Sequence, residues 1–268
     1  MAFLAELNII TSDRIDLYAM GGKAAHGFFL KMVQDYDPAT SEELHRSRPI
    51  KPFTLSVHAP MIRSDNKVSI PGEEHFRLRI TVLDEALESI VMASIFQRME
   101  SNAFHLFAGI PVRLSKTADQ ISILEKVSSK AILKRVFNED TVDMKFITPT
   151  AFRRIQDQYL FPDPELVFGS IYKSWSAYAQ AELPSPDDST FRHVRAGRYH
   201  LQTRMLRFKG FSQLGFVGVV QYNLERLSDQ EKMLVSALSH YANWSGVGAK
   251  TTMGMGVCRR FDRDELLD

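Results

Sequence analysis

The apolar and polar residues of the first half of the chain follow the periods of strands and helices. Strand-like runs occupy residues 2–10, 51–58, 76–82 and 104–114. Two helices lie between them, because apolar residues recur at the spacing of about 3.6 that marks one helix face: Ala25, Phe28, Phe29, Met32 and Val33, then Leu87, Ile90, Val91, Ile95 and Met99. A short helix is also predicted at 39–45 and a polar loop at 61–73. The order β-α-β-β-α-β is typical of a ferredoxin-like fold.

The second half repeats this order. A strand is predicted at 144–147 and a helix from Asp163-Pro164, since proline is favoured at the first helical position. Strands at 194–208 and 214–222 precede a helix opened by the capping box Ser228…Glu231. Residues 121–137 fit either a connecting helix or a strand. The sequence therefore predicts an α+β chain of two tandem ferredoxin-like (RRM-like) βαββαβ domains, 1–120 and 121–268.

Composition is that of an ordinary globular protein. Of 268 residues, 44% are hydrophobic and 24% are charged, and the net charge of +1 means that any nucleic-acid surface must be local. The single cysteine, Cys258, excludes an internal disulfide framework and favours a reducing, cytoplasmic location. The first residues lack the charged and apolar regions of a signal peptide, and no apolar run approaches membrane-spanning length.

A glycine-rich segment near the C-terminus, residues 246–256, is a candidate anion-binding loop. Its members predicted to hold a phosphate backbone are Gly246, Gly248, Lys250, Thr251, Gly254 and Gly256. Glycines let backbone N–H groups approach a ligand closely, and lysine supplies a point charge for phosphate. A nucleotide P-loop is excluded, because Ala249 precedes Lys250 and the segment follows a helix. The alternative is a flexible turn.

A stretch without acidic residues runs from 189 to 224 and is a candidate RNA-binding surface. Its cations are Arg192, Arg195, Arg198, Arg204, Arg207 and Lys209. Aromatic residues are interspersed among them: Phe191, Tyr199, Phe208 and Phe211. Single-stranded RNA is held by both backbone charge and base stacking, so this pattern favours RNA. The alternative is a solvated basic hairpin whose aromatic residues point inward.

Histidine acid–base chemistry is the catalytic chemistry that the residues favour. The eight histidines show no metal-ligand spacing and no Gly-x-Ser-x-Gly motif is present, so neither a metal nor a cofactor is expected. His45 ends a predicted helix shortly before Lys51, and His26 lies at the start of the preceding helix. A histidine beside a cation suits RNA cleavage through the 2′-hydroxyl. The alternative for either histidine alone is a surface or capping residue.

Several segments together resemble one family, the CRISPR-associated endoribonucleases of the RAMP superfamily that cut the repeats of precursor CRISPR RNA. The 246–256 loop is similar to that superfamily's signature. The other matching segments are Leu44-His45, Lys51 to Ser56, Phe146 to Phe152, Phe161 to Leu166 and Gly215 to Gly218. Their order and spacing make the resemblance fairly specific over nearly the whole chain.

The resemblance implies two ferredoxin-like domains and metal-independent cleavage that leaves a 5′-hydroxyl and a 2′,3′-cyclic phosphate. It places the catalytic histidine at His45 and a catalytic lysine at Lys51. Some members use a tyrosine in the first helix where this chain has Leu30. His26, about one helical turn earlier, is the substitute that we expect to act as the second acid–base group.

The expected partner is therefore CRISPR repeat RNA within precursor crRNA. Proteins of a CRISPR effector complex and a second copy of the chain are further candidate partners, and a membrane is not. The alternative function is a non-catalytic RNA-binding subunit of a CRISPR effector complex. Such a subunit would keep the glycine loop and the basic strands but would not need His45.

Overall fold

The structure, a computed structural model, describes residues 1–46, 49–59, 62–64, 67–101, 104–114, 121–154, 157–208 and 210–261. Lys209 of the predicted RNA-binding set lies outside these residues. The elements of the first half are β1 (Ala2–Thr11), β2 (Ile15–Leu17), α1 (Gly22–Tyr36), α2 (Pro38–His45), β3 (Phe53–His58), β4 (Ile62–Ser64), β5 (Lys67–Ile70), β6 (His75–Val82), α3 (Glu85–Ser101), β7 (His105–Phe107) and β8 (Ile110–Leu114).

The second half contains β9 (Ile121–Val127), α4 (Ser129–Leu133), β10 (Thr141–Thr150), β11 (Phe152–Arg154), β12 (Asp157–Tyr159), α5 (Pro164–Tyr178), α6 (Thr190–His193), β13 (Arg195–Phe208), β14 (Phe211–Asn223), α7 (Asp229–Ser245) and β15 (Cys258–Arg260). Among the described residues, no helix is long and apolar enough to cross a membrane.

Both predicted sheets have the ferredoxin-like strand order. The first runs β3-β6-β1-β8-β7, and the second runs β13-β14-β10-β15. In each sheet, the third strand of the βαββαβ order lies between the first and second strands and pairs antiparallel with both. This central strand is β6 in the first sheet and β14 in the second. Helices cover these sheets through the predicted apolar faces, for example Phe29 and Val33 of α1 and Val91 of α3, all 0% exposed. The predicted fold class is therefore confirmed.

Two segments differ from the pattern read in the sequence. The predicted loop at 61–73 contains the hairpin β4–β5, which pairs with β2, so that prediction was wrong. Backbone pairing does not use side chains, and the polarity of the segment therefore did not exclude a strand. The predicted strand at 104–114 is a hairpin whose turn, Ala108-Gly109, has φ of 55° and 86°. Both values are positive, as in a type I′ turn, and alanine there gave no turn signal.

Residues 121–137 contain both of the alternatives that the sequence left open, the strand β9 followed by the short helix α4. β9 pairs antiparallel with β1 and so lies in the first sheet. The division of the chain between residues 120 and 121 stays a prediction.

The end of α7 is held by the first sheet. Arg79 of β6 donates from Nη2 to the carbonyl of Asn243 at 2.8 Å and to its side-chain oxygen at 3.0 Å. The Thr81 hydroxyl donates to the carbonyl of Trp244 at 2.7 Å. The last carbonyls of a helix have no partner within the helix, so β6 supplies the missing donors. Burial lowers the pKa of Arg79 to about 10, while Glu6 and Glu125 act in the opposite direction.

We expect Arg79→Met to destabilise the protein by ~1.5–3 kcal/mol, because it removes a charged donor from buried carbonyls. Urea unfolding would measure the loss. Arg77→Met on the same strand is the control: Arg77 is 53% exposed and pairs with Glu6 at 3.3 Å. An exposed pair contributes only ~0–1 kcal/mol. Equal losses for the two variants would contradict the capping role of Arg79.

Candidate functional site

The glycine loop, residues 246–256, folds back on itself through left-handed backbone positions. Its four glycines have positive φ, and so does Lys250 at 58°. A Cβ on Gly248 would come within 2.6 Å of the Ala151 carbonyl oxygen, and one on Gly256 would overlap the carbonyl oxygen of Val247. Only glycine therefore fits at these two places without a shift of the backbone.

Several N–H groups of the loop already bond to the protein. The pairs are Val247 to the Gly256 carbonyl (2.8 Å), Gly248 to the Ser170 hydroxyl (3.1 Å), Ala249 to the Ala151 carbonyl (2.9 Å) and Gly256 to the Pro149 carbonyl (3.1 Å). These groups fold the loop rather than converge on a ligand. The predicted anion-binding role stays a prediction. It is now limited to the part of the loop around Thr251 and Gly254, which lies outside these four bonds.

The loop contacts the first turn of α1. Gly22 opens this helix, and a Cβ there would overlap the carbonyl oxygen of Met253. A Cβ on Gly254 would lie 3.5 Å from the Gly22 Cα. One turn further along the helix, Nδ1 of His26 lies 3.3 Å from the carbonyl oxygen of Thr252. The second sheet's last loop therefore touches the helix that carries a predicted catalytic histidine.

His26 is half-buried, with its ring 6.0 Å from that of Phe53. Burial lowers its pKa below 6.5, the Thr252 hydrogen bond raises the pKa, and the charges of His45 and Lys51 lower it further. The lowered pKa favours the neutral ring. A carbonyl can only accept, so Nδ1 carries the proton and Nε2 keeps the lone pair of a base.

His45 and Lys51 lie together at the end of α2. His45, the last residue of the helix, is exposed, and its Nδ1 donates to the Ser41 carbonyl at 3.1 Å. Lys51 donates from Nζ to the carbonyls of Leu44 at 2.7 Å and Arg46 at 2.6 Å. The ammonium group thus binds the carbonyls of the residues directly before and after His45 at the end of the helix. Phe53, two residues after Lys51, has its ring 6.0 Å from that of His26, and the Ser41 hydroxyl of α2 bonds to the Leu30 carbonyl of α1 at 3.1 Å. The structure therefore brings the segments that carry the three predicted catalytic residues together, and the charges of His45 and Lys51 lower the pKa of His26.

Leu30 does not contribute an acid–base group. Its side chain is 4% exposed and belongs to the apolar core that packs on the first sheet. Its carbonyl accepts a hydrogen bond from the Ser41 hydroxyl at 3.1 Å, which ties α1 to α2.

The predicted cations of the basic stretch do not form a single surface. Arg195, Arg198, Arg204 and Arg207 are all exposed along β13. Side chains alternate between the faces of a strand, so Arg204 shares the face of Leu206 and Phe208, which pack on Met255 of the glycine loop. Arg207 lies on the opposite face. Arg192 is in α6 and pairs with Glu165 at 2.6 Å, so its charge is locally neutralised.

A groove of about 430 Å³ runs along the glycine loop and contains cations that sequence reasoning missed. Gly246, Gly248 and Thr251 line one side. Arg153 and Lys173 also line it, as do Pro49 and Ile50, which precede Lys51. The adjacent pair Arg153-Arg154 was the one sequence signal for these cations. Lys173 gave no such signal, because it reaches the groove only through the packing of α5.

Within the described ranges, no group of three or more His, Cys, Asp or Glu side chains could hold a metal ion.

Family models match both halves of the chain. The model of the CRISPR Cas6 N-terminal domain matches residues 1–115, and that of the CRISPR-associated endoribonuclease Cas6 matches residues 144–258.

Two curated relatives are both named CRISPR-associated endoribonuclease Cas6. The one from Mycobacterium tuberculosis is 29% identical over 161 residues, which are 57% of this chain. The alignment spans 51% of that relative, about half its length. The one from Streptococcus thermophilus is 23% identical over 262 residues, covering 96% of this chain and 98% of the relative.

Solved structures share the fold. A Cas6 product complex has a TM-score of 0.79 at 24% identity and covers 97% of this chain and 99% of that chain. Thermus thermophilus Cas6 has a TM-score of 0.68 at 24% identity, with coverages of 97% and 98%.

We expect Gly22→Ala to push the glycine loop away from α1, because the added methyl group overlaps the Met253 carbonyl. The variant should unfold at lower urea concentration, and hydrogen exchange should quicken at residues 251–254. Gly27→Ala in the same helix is the matched control, since a Cβ there meets nothing within 4 Å. That change should stabilise the helix by up to ~1 kcal/mol. A neutral effect of Gly22→Ala would contradict the tight contact.

Proposed function

Because the chain belongs to the family of CRISPR-associated endoribonucleases named Cas6, we propose that it binds and cleaves the repeats of precursor CRISPR RNA. The 2′-hydroxyl attacks the adjacent phosphorus and the bond to the 5′-oxygen breaks. The products carry a 2′,3′-cyclic phosphate and a 5′-hydroxyl. This reaction needs one group to take a proton and another to give one, and it does not require a metal ion.

The observation that carries this proposal is the meeting of His26, His45 and Lys51. His26 is the general base: its pKa is lowered, chiefly by burial, and Nε2 is the acceptor. His45 is the general acid: with Nδ1 held by the Ser41 carbonyl, its Nε2 donates to the leaving 5′-oxygen. The two histidines come from different helices, His26 from α1 and His45 from α2.

Lys51 supports the reaction through its charge. Two carbonyls hold its ammonium at the end of α2. A fixed cation beside the reacting phosphate stabilises negative charge that develops on the phosphorane, as an oxyanion hole does. The lysine also disfavours protonation of His26, which keeps the base in its active form.

The repeat RNA is held along the groove and the exposed arginines of β13. Arg153 and Lys173 line the same groove as the glycine loop and bind the RNA backbone there. Arg195, Arg198 and Arg204 are exposed on β13, the edge strand of the second sheet, and supply further phosphate contacts. Positioning the strand near in-line geometry is worth as much as the acid–base groups. Effector proteins and a second copy of the chain stay predicted partners.

The test is single-turnover cleavage of labelled repeat RNA in excess EDTA. The parent protein should cleave, whereas His26→Ala and His45→Ala should each slow the reaction by ~10²–10⁴-fold, the usual contribution of one acid–base group. RNA affinity should change little, and the two losses should not add in the double variant. His75→Ala, which removes an exposed histidine from β6, is the control and should cleave at the parental rate.

Three results would overturn the assignment. Strict dependence on added magnesium would exclude the mechanism. Parental rates for both histidine variants would place the chemistry elsewhere. Tight binding of repeat RNA without any cleavage by the parent protein would favour the non-catalytic subunit.

The pH dependence of kcat/KM follows from the environment of His26. Protonation removes the base, so on the acid limb of the profile the rate should rise with pH through the pKa of His26. Because that pKa is lowered, the midpoint of the acid limb should lie below the ordinary value of 6.5. The limb should vanish in His26→Ala. A midpoint above 6.5 that survives in this variant would assign the base to another residue.

A further inference from the structure

Two phenylalanines close the tip of the hairpin formed by β13 and β14, and a lysine from the glycine loop lies on them. The rings of Phe208 and Phe211 are stacked, with centroids 4.7 Å apart and planes at 10°. Nζ of Lys250 lies 5.5 Å from the Phe208 centroid and 4.8 Å from that of Phe211. Both distances are within the range of a cation–π interaction.

The side chain of Lys250 faces the hairpin and not the groove. Its chain neighbours Ala249 and Thr251 line the groove, whereas Lys250 is absent from that lining. Lys250 also has the left-handed backbone that the glycines of the loop adopt. A lysine is strained in this conformation, and the backbone alone therefore favours glycine at this position. The contact of its ammonium group with the two rings is a reason for a lysine here.

The same few residues reach the catalytic helix. Directly after Lys250, a short 3-10 helix spans Thr251–Met253. The Thr252 carbonyl accepts the hydrogen bond from His26, and the Met253 carbonyl lies against Gly22. Met255 and Met253 pack with Phe208 in one small apolar cluster. The hairpin tip and His26 are therefore joined by three consecutive residues of the loop.

We propose that Lys250 is a positioning residue, not a phosphate ligand: it fastens the hairpin tip to the glycine loop and so holds the Thr252 carbonyl against His26. This inference rests on the proposed function, because it assigns His26 a role in cleavage. RNA bound along β13 then steadies the tip, and the tip steadies the hydrogen bond that fixes the tautomer and direction of the base. RNA binding along β13 is thereby coupled, through Lys250, to the position of His26.

The test compares Lys250→Met with Lys250→Arg and with the matched control Lys173→Met, which removes a lysine that lines the groove. Lys250→Met keeps the length of the side chain and loses the cation. Its single-turnover rate at saturating repeat RNA should fall by ~10-fold or more, since small displacements of catalytic groups are costly. Its Kd and the slope of log K against log salt should stay parental. Lys250→Arg should restore the rate, because a guanidinium also binds aromatic faces.

Lys173→Met should instead lower the salt slope, because a phosphate contact is lost. If Lys250→Met instead lowers the slope by ~0.7, the value for one contact to a single strand, and keeps the parental rate, Lys250 is a phosphate ligand and the proposal is wrong. Failure of Lys250→Arg to restore the rate would also overturn it.

A measurement without RNA separates this inference from the proposed function. In the free protein, Lys250→Met should quicken hydrogen exchange at Phe208, Gly210, Phe211 and residues 251–253, while Lys173→Met should not. Unchanged exchange in both variants would overturn the fastening role. If the parent protein cleaves no repeat RNA but Lys250→Met shows the quicker exchange, the proposed function fails and the fastening contact stands.

Discussion

The end of α7 rests on the first sheet, and this contact determines where the rest of the chain can go. Arg79 and Thr81 donate to its last carbonyls, which have no partner within the helix. The chain leaves the helix at Gly246 with a positive φ and enters the glycine loop at once. Since few residues separate this anchor from Thr252, the loop has little freedom in how it approaches α1. This contact thereby fixes how the second sheet's loop meets the first unit near His26.

The candidate site depends on this contact because its parts come from both sheets. His26 and His45 belong to α1 and α2 of the first unit, whereas the Thr252 carbonyl comes from the second. The surroundings of His26 are also shared, because the Thr252 carbonyl of the loop lies 3.3 Å from its Nδ1 and the ring of Phe53 lies 6.0 Å from its ring. A shift of the loop would change the hydrogen bond and the solvation of His26 together. Chemistry at this site is thus coupled to the packing between the units.

Local patterns predicted most of the fold, and long-range contacts account for what they missed. The periods of 2 and about 3.6 located both sheets and their covering helices, and the capping box at Ser228 fixed the start of α7. The hairpin β4–β5 was missed because its strands are held by backbone pairing with β2, which a polar segment does not reveal. Likewise, no local signal relates Arg192 to Glu165 or brings Lys173 to the loop. Those relations exist only once α5 has packed.

Glycines in the loop illustrate why a sequence signature can be right about a family and incomplete about a mechanism. Read alone, they suggest close approach of backbone to phosphate. In the structure, Gly248 and Gly256 are required by neighbouring carbonyls of the protein itself, while Gly254 has room for a Cβ and is constrained only by its φ of 86°. The loop needs its glycines to fold, whether or not the protein cleaves RNA. A catalytic and a non-catalytic protein of this fold would therefore share the loop, and we propose that the pair His26 and His45 separates the two functions.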